Sequence, residues 1–125
     1  MAWLCFNDSF LSVVASDKDP KVLNVRARRV GDIEAVFGKT YPVVTLPARD
    51  YAFRAFIPRD VVANVVAAKL AATDYTNFKD SVADHHLHEA YARTWSTMAA
   101  LQECPPYSTK PRPGFRAHPL RLPKA

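Results

Sequence analysis

The sequence predicts an α+β fold: an antiparallel sheet of about five strands with two long helices packed on one face. Short apolar runs separated by turn residues fill its first half, which favours strands joined by hairpins. Two longer segments, residues 58–73 and 81–102, carry apolar residues at helical spacing. The last residues, 104–125, are basic and rich in proline, so we expect a disordered tail after a single domain of residues 1–103.

The first three strands are predicted from apolar patterning. Apolar runs at residues 3–6 and 10–15 are separated by Asn-Asp-Ser at 7–9, which favours a turn, so they form a β-hairpin. Apolar residues then alternate with polar and basic residues over 23–28. This alternation predicts a half-buried strand with a basic outer face.

A short helix is predicted between Gly31 and Gly38, with Gly38 as its end. The fourth strand, at residues 41–46, is bounded by prolines, which places it near an edge of the sheet. The fifth strand opens at residue 50. One of its faces carries Tyr51, Phe53, Ala55 and Ile57, and the other carries Ala52, Arg54 and Phe56.

Both long helices have recognisable start signals. Pro58 fits the first turn of the first one, where its missing N–H costs nothing. Ser81 and Asp84 resemble a capping box for the second, and Asp80 before them is another good N-cap residue. The predicted buried stripe of this second helix contains Leu87, Tyr91, Trp95 and Met98.

The net charge of +5 belongs mostly to the tail. Residues 103–125 carry five Lys or Arg and one Glu, whereas the other 102 residues carry twelve Lys or Arg and eleven Asp or Glu. The high pI therefore does not by itself indicate a nucleic-acid-binding domain.

Several classes of protein are not expected from the composition. Two cysteines do not make a disulfide framework, and no apolar run approaches the roughly 18–20 residues of a membrane span. The first residues do not resemble a signal peptide. The chain contains no glycine-rich phosphate loop and no nucleophile motif. We therefore expect a soluble cytoplasmic protein with no membrane partner, no cofactor and no enzymatic activity.

A histidine cluster at residues 84–89 is the candidate metal site. His85, His88 and Glu89 lie three to four residues apart on one helix face, and imidazole with carboxylate suits zinc. A further ligand is needed, and the sequence offers no clear candidate. The alternative is a solvated first turn with His88 at the edge of the core, so a metal-dependent enzyme is the weakest functional hypothesis and we expect no metal.

The loop at residues 74–80 has two interpretations. Tyr75 and Phe78 either fill the gap between the long helices while Asp80 caps the second, or the loop contacts a partner, since interface anchors are often aromatic. The candidate partner-binding residues are Tyr75, Asn77, Lys79, His85, His88 and Arg54.

A second candidate surface is basic. If the third and fifth strands are neighbours, their outward arginines form a positive patch that can hold phosphates. The alternative is ordinary surface charge paired with Asp32, Glu34 or Asp50. The candidate nucleic-acid-binding residues are Arg26, Arg28, Arg29, Arg54, Arg112 and Arg116.

Several motifs carry a resemblance that covers about residues 3–102. They are NDSFLSVV at 7–14, VRARR at 25–29 with GDIE at 31–34 and VF at 36–37, DYAFRAF at 50–56, DYTNFKDSV at 74–82, and His88 with Tyr91 and Trp95. Together they resemble a family of short hypothetical proteins encoded by phages, prophages and plasmids. The resemblance implies a genetic context, and no catalytic role is carried over from the family. Small proteins of mobile elements often act by binding a host machine.

Three functional hypotheses follow. The first is a non-enzymatic binding protein, most concretely an anti-defence inhibitor, like those of CRISPR effectors, that binds a host protein or ribonucleoprotein complex. The alternative is a nucleic-acid-binding accessory protein that uses the basic strand face and the tail. The metal-dependent enzyme comes third, and a homodimer is compatible with any of them.

Overall fold

The computed structural model describes residues 1–115, and its centre is a five-stranded antiparallel sheet. The strands are β1 (Ala2–Cys5), β2 (Phe10–Ala15), β3 (Val22–Ala27), β4 (Val44–Thr45) and β5 (Phe53–Pro58). They lie in the order β1-β2-β3-β5-β4, and each neighbouring pair is antiparallel. The helices are α1 (Asp32–Phe37), α2 (Arg59–Ala71) and α3 (His85–Ala99). The predicted α+β class, five-stranded antiparallel sheet and two long helices are confirmed.

One side of the sheet, which we call the packed face, carries the main core. Alternate residues of the strands point to it because successive side chains in a strand lie on opposite faces. α1 covers it with Ile33 and Phe37, and α2 covers it with Val62. The buried strand residues of this core are Leu11, Val13, Val25, Ala27, Ala55 and Ile57.

The other side, which we call the open face, receives the remaining strand residues. The register aligns one residue from every strand in a single row: Trp3, Ser12, Arg26, Arg54 and Val44. A second row contains Val14, Asn24 and Phe56. The basic outer face predicted for the third strand therefore belongs to the open face.

α3 has a small core of its own. Leu87 and Tyr91 are buried with Val82, and Phe10 and Phe78 pack against them. Phe10 precedes Leu11 in β2 and so points away from the packed face. Both long helices were expected over one face of the sheet. Instead, α2 lies on the packed face, and α3 packs against Phe10 on the opposite side of the sheet.

The attachment of α3 to the β1–β2 turn explains this position. The Tyr91 hydroxyl lies 2.9 Å from the carbonyl oxygen of Phe6 and 2.8 Å from that of Ser9, and donates its proton to this pair. These carbonyl groups flank the Asn-Asp turn of the hairpin, so α3 is fastened to the end of β1 and β2 instead of to the centre of the sheet.

The predicted capping box at the start of α3 is wrong. Asp84 is the N-cap, and its Oδ1 accepts a hydrogen bond from the Leu87 N–H at 2.8 Å. Ser81 ends a separate 3₁₀ turn, Lys79–Ser81, which also contains Asp80. Val82 has an extended backbone and a buried side chain, and this interrupts the helical path between the turn and α3.

The predicted buried stripe of α3 ends after Tyr91. Trp95 is 42% exposed and Met98 is 58% exposed, so their predicted burial is wrong. The ammonium group of Lys79 lies 4.6 Å from the centroid of the Trp95 ring and covers part of it. Helical spacing places apolar residues on one face, but it does not say what covers that face.

The region between β3 and β5 also differs from the prediction. β4 has only two residues, although its position at an edge of the sheet is confirmed. Tyr51 precedes β5, and the guanidinium carbons of Arg26 and Arg28 lie 4.4 and 4.2 Å from its ring centroid. Because these arginines alternate with the buried residues of β3, Tyr51 lies on the side of the open face, and its predicted place on the Ile57 face is wrong.

The first part of the predicted tail is attached to α3. Arg112 donates from Nε to the Gln102 carbonyl and from Nη2 to the Ala99 carbonyl, each at 3.1 Å, and its N–H donates to Glu103. These bonds satisfy carbonyl groups at the end of the helix, as basic side chains often do. Residues 116–125 of the predicted tail, including Arg116, lie outside the described residues.

Candidate macromolecule-binding surface

The row across the open face brings two predicted arginines together. β3 and β5 are neighbours, as the basic-patch hypothesis required, and Arg26 lies directly opposite Arg54. Like charges in such a pair repel each other unless other groups neutralise them. The partners of these guanidinium groups therefore determine what the surface can bind.

Both guanidinium groups are only partly satisfied. Arg26 donates from Nη2 to the Ser12 hydroxyl at 2.8 Å, and Arg54 forms an ion pair with Asp50 at 3.4 Å. The Nε atoms of both arginines are buried, and neither has a hydrogen-bond partner within residues 1–115. The Oδ1 atom of Asn24 in the next row is in the same situation. Buried polar atoms without a partner are costly, so the row lowers the stability of the sheet at this point.

Arg28 extends this positive surface beyond the end of β3. Its guanidinium group stacks on Tyr51 and donates from Nη1 to the Asp50 carbonyl at 2.7 Å. The rings and charges of this group are thus connected: Arg26 and Arg28 stack on Tyr51, and the Asp50 carboxylate pairs with Arg54. The three arginines keep a net positive charge.

Arg29 has a structural role. It forms ion pairs with Asp32 at 3.1 Å and with Asp84 at 3.3 Å, and the hydrogen bond to Asp32 raises the pKa of Arg29. Buried Asp32 also accepts a hydrogen bond from the Phe10 N–H at 3.1 Å. Arg29 therefore links α1, the hairpin and the start of α3. Its ion pair with Asp32 agrees with the alternative interpretation, in which the arginines are paired with nearby acidic residues.

Exposed apolar side chains accompany the arginines. Trp3 is 52% exposed in the row, and Phe56 is 51% exposed in the neighbouring row. Phe56 lies in β5 beside the candidate residue Arg54, but Trp3 was missed. The feature that identifies Trp3 is its position next to Leu4 in β1. Leu4 packs against the main core, so Trp3 points to the open face. Trp and Arg are enriched at the energetic centres of interfaces.

The aromatic residues of the 74–80 loop take part in packing. The ring centroids of Tyr75 and Phe78 are 5.7 Å apart, and those of Phe78 and Tyr91 are 5.3 Å apart. This chain of rings agrees with the structural interpretation of the loop. The cap assigned to Asp80 in that interpretation is supplied by Asp84.

The polar loop residues have local contacts. Asn77 accepts a hydrogen bond from the Asp80 N–H at 3.4 Å, and Lys79 stacks on Trp95. Asn77 is exposed, and the Lys79 side chain is partly exposed. Both residues stay candidates for partner contact, separate from the arginine row to which Arg54 belongs.

The histidines lie at the start of α3. His85 and His86 are exposed in its first turn with their ring centroids 5.9 Å apart, while His88 is partly buried. Glu89 forms an ion pair with Arg93 at 3.1 Å. Across residues 1–115, no group of three or more His, Cys, Asp or Glu side chains is arranged to hold a metal ion.

Asp84 is the negatively charged group that caps the start of α3. The hydrogen bond from the Leu87 N–H lowers the pKa of Asp84, and the positive charge of Arg29 and the nearby His86 act in the same direction. The carboxylate therefore caps the helix, where an anion is favoured by the helix dipole.

No protein-family model, curated protein or solved structure matches this chain. In the described part of the chain, no helix is long and apolar enough to cross a membrane.

Proposed function

We propose that this protein acts by binding a host macromolecule, most concretely as an anti-defence inhibitor of a host protein or ribonucleoprotein complex. The observation that carries the proposal is the row on the open face, where exposed Trp3 and Val44 flank Arg26 and Arg54. A sheet is normally buried against a second layer. Here α1 and α2 supply that layer on the packed face. α3 covers only the end of the open face near Phe10, and a bound partner supplies the layer over the rest of it.

The composition of the row suits a protein partner. Half-exposed aromatic rings contribute apolar area to an interface, and the arginines contribute directed hydrogen bonds. The partly exposed guanidinium groups of Arg26 and Arg54 can donate hydrogen bonds to a partner carboxylate or carbonyl. Asn77, Lys79 and His85 offer a second set of contacts at the start of α3.

The sequence motifs support the choice of target. Residues 7–14, 25–34, 50–56 and 74–82 resemble short proteins of phages, prophages and plasmids. Mobile elements meet host defence complexes in the bacterial cytoplasm, and the proposed protein works there by occupying a surface that the defence complex needs.

A pull-down with matched variants tests this proposal. Arg54→Ala removes an arginine of the row that pairs with Asp50 four residues away, and Arg93→Ala removes an arginine of α3 that pairs with Glu89 at the same spacing. We expect wild-type protein and Arg93→Ala to retain the same host complex from lysate, identified by mass spectrometry, and Arg54→Ala to retain at least about tenfold less, as for an interface hot spot. Equal retention by both variants, or no specific complex, would overturn the proposal.

Inhibition is tested with the captured complex. Purified wild-type protein should reduce the activity of that complex in proportion to its occupancy, and Arg54→Ala should shift the inhibition curve to higher concentration. Full activity of the complex at saturating protein would exclude an inhibitor while leaving a binding protein.

The pairing of β3 with β5 favours a second candidate function, a nucleic-acid-binding accessory protein. Arg26, Arg28 and Arg54 form a positive surface beside exposed Phe56 and Trp3, which combines phosphate contacts with rings that can stack on bases. In this function the basic segment after residue 103 adds further phosphate contacts.

Salt dependence separates this second function from the first. Binding of a labelled single-stranded oligonucleotide, followed by anisotropy, should weaken steeply as salt rises, with a logarithmic slope of about 0.7 per phosphate contact. Arg54→Gln should lower that slope by about one contact, while Arg93→Gln should leave it unchanged. An affinity that does not respond to salt would exclude the nucleic-acid function.

A further inference from the structure

A cavity of about 290 Å³ lies between α3 and the first two strands. Its wall is mainly apolar. β1 and β2 supply Trp3, Cys5 and Phe10, and α3 supplies Leu87, Ala90 and Tyr91. The cavity is thus built where α3 crosses the hairpin to which Tyr91 fastens it.

Three aromatic rings shape the interior. Phe10 meets Trp3 nearly at a right angle, with ring centroids 5.5 Å apart, and meets Tyr91 at 74° with centroids 6.4 Å apart. Edge-to-face rings of this kind present both faces and edges, against which another flat ring can pack. The wall therefore suits an aromatic group.

Within the described residues, some of the charged side chains that line the cavity are paired with an opposite charge and one is not. Arg29 and Asp32 both line it, but they pair with each other. Arg28 also lines it and makes one hydrogen bond in the described part of the chain, from Nη1 to the Asp50 carbonyl. Arg28 forms no ion pair within residues 1–115, so an uncompensated positive charge stands beside an aromatic cavity.

We propose that this cavity binds a small aromatic carboxylate of one or two rings. The volume of about 290 Å³ is just below that of typical ligand pockets, which span roughly 300–1,000 Å³, so the cavity suits a small molecule. The ring packs among Trp3, Phe10 and Tyr91, and the carboxylate accepts hydrogen bonds from the Arg28 guanidinium group, a charge-assisted pairing. This proposal goes beyond the proposed macromolecular function, although Trp3 and Arg28 belong to both the cavity and the surface proposed to bind a partner.

Calorimetry with 2-naphthoate and its neutral analogue 2-naphthamide tests the ligand class. We expect saturable binding of 2-naphthoate and about tenfold weaker binding of 2-naphthamide, since charge-assisted hydrogen bonds are about twice as strong as neutral ones. Absence of saturable binding, or equal affinity for both compounds, would overturn the proposal.

The two cysteines allow the ligand to be located. Cys5 is exposed and lines the cavity, and Cys104 lies elsewhere. In the Cys104→Ser variant, 2-naphthoate should slow alkylation of Cys5 by neutral iodoacetamide several-fold at saturation. Binding that leaves the alkylation rate unchanged would place the ligand outside the cavity and would contradict the proposal.

Two arginine variants provide the matched comparison. Arg28→Gln removes the uncompensated charge, while Arg59→Gln removes an exposed arginine that also bonds a backbone carbonyl, that of Pro20. Arg28→Gln should lower the affinity for 2-naphthoate about tenfold, to that of 2-naphthamide, and Arg59→Gln should leave it unchanged. Equal effects of the two variants would show general electrostatics and would overturn the assigned role of Arg28.

Discussion

α2 and α3 have thirteen and fifteen residues, yet they are held to the sheet by different interactions. α2 contributes Val62 to the main apolar core on the packed face, with Val61, Val65 and Val66 around it. α3 contributes two buried residues, and its other attachments are the Tyr91 hydroxyl, the Asp84 cap and the ion pair with Arg29.

The difference follows from where each helix enters the sheet. α2 continues directly from β5, which lies inside the sheet, and its apolar side packs on β5 and on the neighbouring β3. α3 begins after a loop and reaches the hairpin of β1 and β2 at the edge. A helix at an edge meets less apolar surface, and polar contacts then provide more of its stability. The α2 side should thus respond to loss of volume, and the α3 side to loss of hydrogen bonds and to pH.

The largest expected effect is on the packed face. Ile57 is completely buried, whereas its neighbour Phe56 is half exposed on the other side of the same strand. Ile57→Ala should lower the free energy of unfolding by about 2–5 kcal/mol through lost burial and a cavity. Phe56→Ala should cost no more than about 1 kcal/mol. Urea unfolding measures both values, and equal losses would mean that Phe56 is buried in solution.

The next effect concerns the attachment of α3. Tyr91→Phe removes the proton donor and leaves the carbonyl groups of Phe6 and Ser9 without it, which should cost about 1–3 kcal/mol. Tyr107→Phe, at a fully exposed position, is the control and should be neutral. An unfolding free energy of Tyr91→Phe equal to that of wild type would show that α3 is held by packing alone.

The same hydroxyl makes stability depend on alkaline pH. Burial, the largest cause, raises the pKa of Tyr91 above its ordinary value of about 10. The unfolded chain then loses this proton at lower pH than the folded protein, so the contribution is complete below about pH 10 and is lost as pH rises further. The stability of wild type should fall more steeply as the pH rises above about 10 than that of Tyr91→Phe. Parallel curves from denaturant titrations would contradict this.

A smaller effect distinguishes Asp84 from Asp80 as the cap of α3. Asp84→Ala removes the acceptor for the Leu87 N–H and the partner of Arg29, whereas Asp80→Ala removes no capping bond. The melting temperature should fall for Asp84→Ala and stay near wild type for Asp80→Ala. Since the folded pKa of Asp84 is lowered, its contribution is present above the ordinary pKa of about 3.9 and is lost as pH falls through the folded value. The two variants should therefore converge in strongly acidic solution.

The smallest effect is expected on the exposed part of α3. Met98→Ala should change the free energy of unfolding by no more than about 0.5 kcal/mol, because Met98 is mostly exposed. Leu87→Ala, on the buried part of the same apolar stripe, should cost about 2–5 kcal/mol. A large loss for Met98→Ala in denaturant titration would indicate that another surface covers the stripe in solution.

Local patterns in the sequence were sufficient for much of the sheet. The alternation across residues 23–28 predicted β3 with its arginines outward, and the Asn-Asp-Ser turn predicted the hairpin of β1 and β2. Gly38 ends α1 with φ of +73°, a conformation that glycine adopts without strain. These features depend on neighbours within a few residues, which a sequence displays directly.

Other features had several local solutions. Asp80, Ser81 and Asp84 are all good caps, and only the burial of Val82 against α3 selects Asp84. Tyr51 could continue the alternation of β5, but the guanidinium groups of Arg26 and Arg28 place its ring on the other side. In each case a contact distant in sequence decides between equal local choices.

The candidate surface also combines features that local patterns predict with features that distant contacts decide. The outward direction of Arg26 and Arg54 follows from alternation within each strand, so the residues of the basic patch were predicted from the sequence alone. Their direct opposition, the alignment of Trp3 in the same row and the cavity beneath α3 follow from strand order and from the attachment of Tyr91. Periodicity determines which side of an element is apolar or charged because it is a property of one segment. Only the tertiary structure decides which sides meet, since this depends on the free energy of packing between segments.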